Sequence, residues 1–151
     1  MNEALLQVIE LKTMDSAHDL IDLYCKMNGY SIKAEELEIW INKIISIGDP
    51  LGIIIDNSII AFLLLYCNNY QTREAYICNV YVSHDHRGKC LSKLLVEKAI
   101  QICRSRKFVR INLDVAQNNT PALKVYSQCG FAITEEYLKE TEPFYKMSFS
   151  I

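Results

Sequence analysis

Apolar residues recur along this chain in two rhythms, and the switches between them predict its elements. Residues 5–12 alternate loosely, as a first strand does. From Asp15 to Met27 the apolar positions take helical spacing, with Ala17, Leu20, Ile21, Tyr24 and Cys25 on one face. Asp15 is a good N-cap and Asn28-Gly29 a good stop. A second helix is expected over residues 33–47, with Leu37, Trp40, Ile41, Ile44 and Ile45 as its buried stripe. Gly48-Asp49-Pro50 is expected to end it, since proline cannot continue the helical ladder. Residues 51–55 and 59–66 are β-rich runs flanking Asp56-Asn57-Ser58, a hairpin signal. Their unbroken apolar character predicts strands covered on both faces.

A polar turn over residues 67–74 then leads to a central strand, 75–82, and a helix, 90–106. The inward stripe of that helix reads as Leu91, Leu94, Leu95, Ala99 and Ile102, with Lys93, Glu97 and Lys98 facing water. The next strand, 108–116, alternates clearly. Val109, Ile111, Leu113 and Val115 share one face, and Arg110, Asn112 and Asp114 share the other. A short helix follows, capped by Asn119 or Thr120 with Pro121 in its first turn. Residues 131–137 and 144–149 close the chain as an antiparallel pair. The order β-α-α-β-β-β-α-β-α-β-β predicts an α/β fold around a mixed sheet. With no internal repeat or linker, residues 1–151 are expected to form one domain.

Composition narrows the class. Half of the residues are hydrophobic and the formal net charge is −2, so nothing suggests nucleic acid as a partner. The N-terminal stretch lacks a basic region before an apolar run, and no stretch approaches a membrane span. A cytoplasmic protein is expected, with no membrane partner. The six cysteines contain no Cys-x-x-Cys pair, which fits neither a zinc site nor a disulfide framework. Reduced, mostly buried thiols and no bound metal are the expectation.

The chemistry concentrates in residues 77–102. There a strand leads through a loop holding Gly88 into a helix, and His86, Arg87 and Lys89 add positive charge at the helix start. Helix N-termini carry unpaired N–H groups and a positive dipole end, which hold phosphate without a metal. A second stretch runs Gln117-Asn118-Asn119-Thr120-Pro121-Ala122-Leu123-Lys124-Val125-Tyr126 and closes with Gly130-Phe131. Together they resemble the GNAT superfamily of N-acyltransferases. Arg87-Gly88-Lys89-Cys90-Leu91-Ser92 occupies that family's phosphate loop, Arg/Gln-x-x-Gly-x-Gly/Ala. Asn119, Ala122, Tyr126, Gly130 and Phe131 complete its later signature, Asn-x-x-Ala-x-x-x-Tyr followed by Gly-Phe.

The resemblance implies the GNAT-like fold, a mixed and mostly antiparallel sheet flanked by helices. It also implies transfer of an acetyl group from acetyl-CoA, as cosubstrate, directly to a primary amine. The pyrophosphate would lie on residues 87–92 and the pantetheine arm beside Val80, Tyr81 and Val82. Tyr126 would protonate the departing CoA sulfur, while Asn119 would touch the cofactor arm or simply cap its helix. In the branch that acetylates protein N-termini, such as those of ribosomal proteins, a glutamate thought to act as base stands twelve residues before this tyrosine. Asp114 has that spacing here, and its rival reading is an outward carboxylate paired with Arg110 or Asn112. Asn79 stands where many relatives carry a carboxylate, but an amide is no base. Glu74 is expected in the preceding turn, and Tyr76 and a chain of waters stay open. Cys90, where the family loop usually has glycine, is the clearest departure and is expected to crowd the pyrophosphate.

Other readings are weaker. Ser83, His84, Asp85 and His86 are too close in sequence to form a hydrolase triad, and the histidines read as loop packing or phosphate neighbours. A plain nucleotide binder would need G-x-x-x-x-G-K-[ST] or G-x-G-x-x-G, which the chain lacks. A non-catalytic acyl-CoA-binding module stays open. The acceptor is expected near Asn28-Gly29-Tyr30, Glu35, Glu36 and residues 137–142, as a peptide or small-molecule amine. Either a monomer or a homodimer fits.

Overall fold

Two adjacent residues in the left-handed region set the register of the sheet: Asp56 (φ 51°) and Asn57 (φ 62°). Positive φ at both central positions gives a turn whose twist matches paired strands. It joins β2 (Asp49–Ile55) to β3 (Ser58–Tyr66). The computed structural model describes residues 6–12, 19, 20, 22, 23, 25 and 34–151, except the side chains of Ala34, Leu37 and Ile41. The first predicted helix therefore lies largely outside the described residues, though Leu20 and Leu23 within it are helical and buried. Asn28-Gly29-Tyr30 also lie outside them.

The other elements are β1 (Val8–Glu10), α1 (Ala34–Ile47), β4 (Glu74–Val82), α2 (Leu91–Ser105), β5 (Arg110–Ala116), α3 (Thr120–Gln128), β6 (Ala132–Lys139) and β7 (Glu142–Ser150). The strands form one sheet in the order β1-β2-β3-β4-β5-β7-β6. Only β4 and β5 pair in parallel, as the α2 crossover between them requires. The expected mixed, mostly antiparallel sheet is what forms.

Helices cover the two faces unequally. On one face Leu91, Leu95, Val96, Ala99, Ile102 and Cys103 of α2 pack with Ile111, Leu113 and Val115 of β5. On the other, Ile44 of α1 packs with Leu11, Leu20, Leu23, Ile59, Phe62 and Leu64. This second core takes nothing buried from β5, β6 or β7. Among the described residues, that half of the sheet presents polar and half-buried side chains there.

Three readings of the pattern need correction. Leu94 is 37% exposed, while Val96, Ile100 and Cys103 face inward. The buried stripe of α2 is centred further round the helix and leaves Leu94 behind it. Val109 is 52% exposed because β5 begins one residue later. The helix ends before Gly48-Asp49-Pro50 as expected, but β2 begins at Asp49 rather than at residue 51, with Asp49 and Pro50 paired with Leu65 and Leu64. Gly48 alone ends α1, and a Cβ there would stand 2.8 Å from the Ile44 carbonyl oxygen.

Asp49 is the one buried charged side chain among the described residues, at 2% exposure. Arg106, just past α2, donates to both of its carboxylate oxygens (2.6 and 2.8 Å) and to the Cys67 carbonyl (3.0 Å). Lys12 adds a third bond at 2.9 Å. Burial pushes the Asp49 carboxyl up, but the bonds to Arg106 and Lys12 outweigh it and hold the group below its usual range.

Candidate active site

The sheet opens where β4 and β5 part. Their pairing ends with Ile77 opposite Leu113, yet β4 continues to Val82 and β5 to Ala116. Beyond that point the edge of β4 that faces β5 has no strand beside it, which leaves room for an extended ligand arm. A bulge sits just at the parting: Leu65 faces Ile77 and Leu64 faces Asn79, so Cys78 is the extra residue. The bulge shifts the side-chain alternation by one. Ala75 and Ile77 face the α2 core before it, and Val80 and Val82 face the same core after it. Tyr81 turns to the opposite face and packs on Phe62, with ring centroids 5.8 Å apart.

The loop beyond β4 makes a short helical turn over His84–His86, held by a 2.7 Å bond between Ser83 Oγ and His86 Nδ1. His86 is thereby bonded within the loop, while His84 is exposed. Gly88 follows with φ 80°, and a Cβ there would meet nothing within 4 Å. Glycine is needed here for its backbone conformation, and its surface stays open to a ligand. Among the described residues, none of the six main-chain N–H groups from Gly88 to Lys93 donates a hydrogen bond; the first to do so is Leu94, to the Cys90 carbonyl. Six successive free donors at a helix start form a cradle suited to a pyrophosphate. Leu91 is buried, so it offers its main chain alone. Lys89 and Cys90 are exposed and Ser92 is half-buried. Arg87, expected on the phosphates, donates its Nε to the Val82 carbonyl at 3.2 Å and lies over the Tyr81 ring. It thereby ties the loop to the end of β4.

Cys90 caps α2 in the left-handed region, with φ 59°. That explains why glycine suits the position, and a side chain there is strained by about 1 kcal/mol. Cys90→Gly is expected to raise the thermal midpoint by about 2–4 °C without weakening acetyl-CoA binding. A lowered midpoint in calorimetric scanning would refute the strain.

Tyr126 lies in α3, which Asn119 caps by accepting the Ala122 N–H at 3.3 Å. The cap role expected as one alternative for Asn119 is therefore in place, and Ala122 packs half-buried against the core. The Tyr126 ring is 8% exposed and rests on Phe131. Its hydroxyl makes no hydrogen bond among the described residues, where no buried side-chain polar atom is left unpaired. The hydroxyl therefore keeps contact with solvent, and its proton is uncommitted. Burial pushes its pKa up to about 12, with the Cys129 charge a smaller cause.

Asp114 sits on β5 one residue past the last β4 pair. Its Oδ2 accepts the Tyr76 hydroxyl at 2.5 Å and its Oδ1 accepts the Tyr137 hydroxyl at 2.9 Å. The rival pairing does not form: Arg110 binds Glu74 at 3.2 Å, and the Asn112 side-chain oxygen accepts from Ser148. Glu74, expected in a turn, instead opens β4. Tyr137 was legible only as part of the last hairpin's loop, because β7 lies between β6 and β5 and no local pattern carries that order. Burial and then the bond to Asp114 push both phenols above their usual range, so each stays a donor.

Comparison with known proteins agrees with this geometry. Residues 16–131 match the family model described as Acetyltransferase (GNAT) family. The streptothricin acetyltransferase of Escherichia coli is 26% identical over 137 residues, covering 87% of this chain and 78% of that protein. The ribosomal-protein-S18-alanine N-acetyltransferase of Escherichia coli superposes with a TM-score of 0.80 at 16% identity, over 97% of this chain and 94% of the other. The PaiA N-acetyltransferase of Thermoplasma acidophilum, solved with coenzyme A, gives 0.71 at 17% identity, over 97% and 99%. With its forked sheet, free N–H cradle and Asn119–Tyr126 helix, the chain belongs to the GNAT acetyltransferase family and is an acetyl-CoA-dependent N-acetyltransferase that acts on an amine.

Proposed function

We propose that the acetyl group passes to a primary amine inside the fork between β4 and β5, with Asp114 as base and Tyr126 as acid. The observation that carries this reading is the fork itself. β5 bears Asp114 on the face opposite α2 and then leads into α3, whose Tyr126 joins the core on the α2 face. The β4–β5 pairing ends at Ile77 and Leu113, one residue before Asp114.

When bound, acetyl-CoA supplies an activated acyl group on a good leaving thiolate. The chain's residues do the rest. Main-chain N–H groups of residues 88–93 hold the pyrophosphate, and the unpaired edge of β4 around Val80, Tyr81 and Val82 aligns the pantetheine arm. Leu91 serves by its main chain and Ser92 by its hydroxyl as well. A protonated amine has no lone pair, so Asp114 takes a proton from it to leave a nucleophile. Tyr126 gives its proton to the departing sulfur. The acceptor is the amine of a small molecule or a peptide; the likeness to a streptothricin acetyltransferase supports the first and the likeness to a ribosomal-protein-alanine acetyltransferase the second.

Calorimetric titration with acetyl-CoA under reducing conditions, with adenosine diphosphate as control, tests the cofactor half. Micromolar binding, tighter than the control by about tenfold or more, is expected. No binding would mean that the side chain at Cys90 closes the cradle, and would leave a protein that uses this fold without acetyl transfer.

A further inference from the structure

One end of the sheet carries exposed groups that acetyl transfer does not use. Val109 and Ile151 extend β5 and β7 by one residue each, and the Ile151 N–H donates to the Val109 carbonyl at 3.0 Å. They are 52% and 38% exposed. Arg73 extends β4 in the same row, for the Val109 N–H donates to its carbonyl at 2.8 Å. Its guanidinium in turn donates to the Lys107 carbonyl at 3.1 Å. Tyr70, 58% exposed, stands with its ring edge-on to Phe108. Arg73, Arg104 and Lys107 are exposed and form no ion pair among the described residues. Cations suit the C-terminal end of α2 because of its dipole. That does not account for Arg73, which lies on no helix, or for the bare apolar pair between strands.

The far end of the same strands carries the complement. β7 runs from Glu142 to Ser150, so the tip of the last hairpin stands about 30 Å from this patch. Leu138 at the tip is 68% exposed. Glu136, on the same face of β6, and Glu140 and Glu142 at the turn are exposed and without an ion pair among the described residues. Lys139, the tip's cation, lies over the Phe144 ring. One end is therefore apolar with a basic frame and the other apolar with an acidic frame. β6 between them is the free edge of the sheet.

We propose that two copies of this chain associate antiparallel, with the acidic hairpin tip of each, led by Leu138, seated on the basic patch around Val109 and Ile151 of the other. A two-fold axis makes both contacts at once, because tip and patch occupy opposite ends of β7. The charges fix the direction, since a parallel pair would set acidic tip beside acidic tip. Tyr137, which bonds to Asp114, is the neighbour of Leu138 on β6. The partner's basic end therefore stands beside the strand that closes the Asp114 side of the fork.

Sedimentation velocity of the full chain over a range of concentrations tests this. The wild type is expected to move towards twice the chain mass as concentration rises, and back towards the monomer in high salt. Arg73→Glu with Lys107→Glu, and separately Glu140→Lys with Glu142→Lys, are each expected to weaken the dimer by about tenfold or more. An equimolar mixture of the two double variants meets opposite charges again at both contacts and is expected to recover the dimer. Leu138→Ser, at an exposed position and with no change of charge, is expected to weaken it by about tenfold as well. Thermal unfolding of each variant confirms that it is folded, and Arg104→Glu replaces the first pair if that pair does not fold. A wild type that stays monomeric at every concentration, a dimer that neither charge reversal weakens, or folded variants whose mixture stays monomeric would overturn the proposal.

Discussion

Tyr126→Phe is expected to lower kcat by about 100-fold while leaving the KM for acetyl-CoA near its wild-type value. The substitution removes one atom from a ring whose packing against Phe131 stays intact, so the thermal midpoint should hold. The hydroxyl makes no hydrogen bond among the described residues, so no buried partner is orphaned by its loss. An effect confined to kcat is the mark of an interaction made only as the sulfur departs. If Tyr126 were merely an aromatic packing its helix onto the sheet, kcat would not move.

The pH profile gives a second reading of the same residue. Burial lifts the Tyr126 pKa to about 12, so the proton-bearing form is present at every pH below that value. The fraction of acceptor amine in the free-base form meanwhile grows as pH rises. The wild-type kcat is therefore expected to climb or level off between about pH 7 and 10, with no falling limb. A fall centred near pH 10, absent from the phenylalanine variant, would show a tyrosine titrating as if exposed and would contradict its burial.

Asp49→Asn is expected to cost about 3 kcal/mol of folding stability. The amide keeps the shape but cannot balance Arg106, whose guanidinium now gives both arms to the carboxylate. Lys12 loses its partner as well. The linkage has a definite sign. The folded-state pKa of Asp49 is depressed, so its contribution is present above the ordinary carboxyl value of about 4 and disappears as pH falls through the folded value below it. Urea denaturation should therefore separate the two proteins widely at neutral pH and bring them together in strong acid. A constant gap would assign the loss to packing. The cluster lies at the C-terminal end of α2, about 20 Å along the helix from the phosphate cradle, so the folded variant should keep its affinity for acetyl-CoA.

The contrast between these two residues shows how far sequence reasoning reaches. Tyr126 was legible because the features that place it are local: an asparagine cap, a proline in the first turn and a Gly-Phe close. The hairpin at Asp56-Asn57 was legible for the same reason, since its turn is set by two residues. Asp49 read as helix punctuation because its partners, Arg106 and Lys12, lie 57 positions downstream and on another strand's extension. The alternation of β5 correctly put Asp114 on the polar face. It did not reveal Tyr76 and Tyr137, which come 38 and 23 positions away through a sheet order that inserts β7 between β5 and β6. The bulge at Cys78 left no mark in the pattern either, because a continuous β-rich run looks the same with or without an extra residue.

The fork also divides what evolution can change. On the side proposed for the cofactor the binding groups are main-chain N–H donors and a strand edge, which nearly any sequence of the right conformation supplies. On the side proposed for the acceptor they are particular side chains: a carboxylate, the two phenols that bond to it, and a phenyl ring. Substitutions at Tyr76, Tyr137 and Phe144, which packs on Tyr137, are therefore expected to redirect the enzyme to new amines while Asp114 and the donor half keep working. A library randomised at those three positions and screened on a panel of amines would sample new specificities without having to rebuild the acetyl-CoA site.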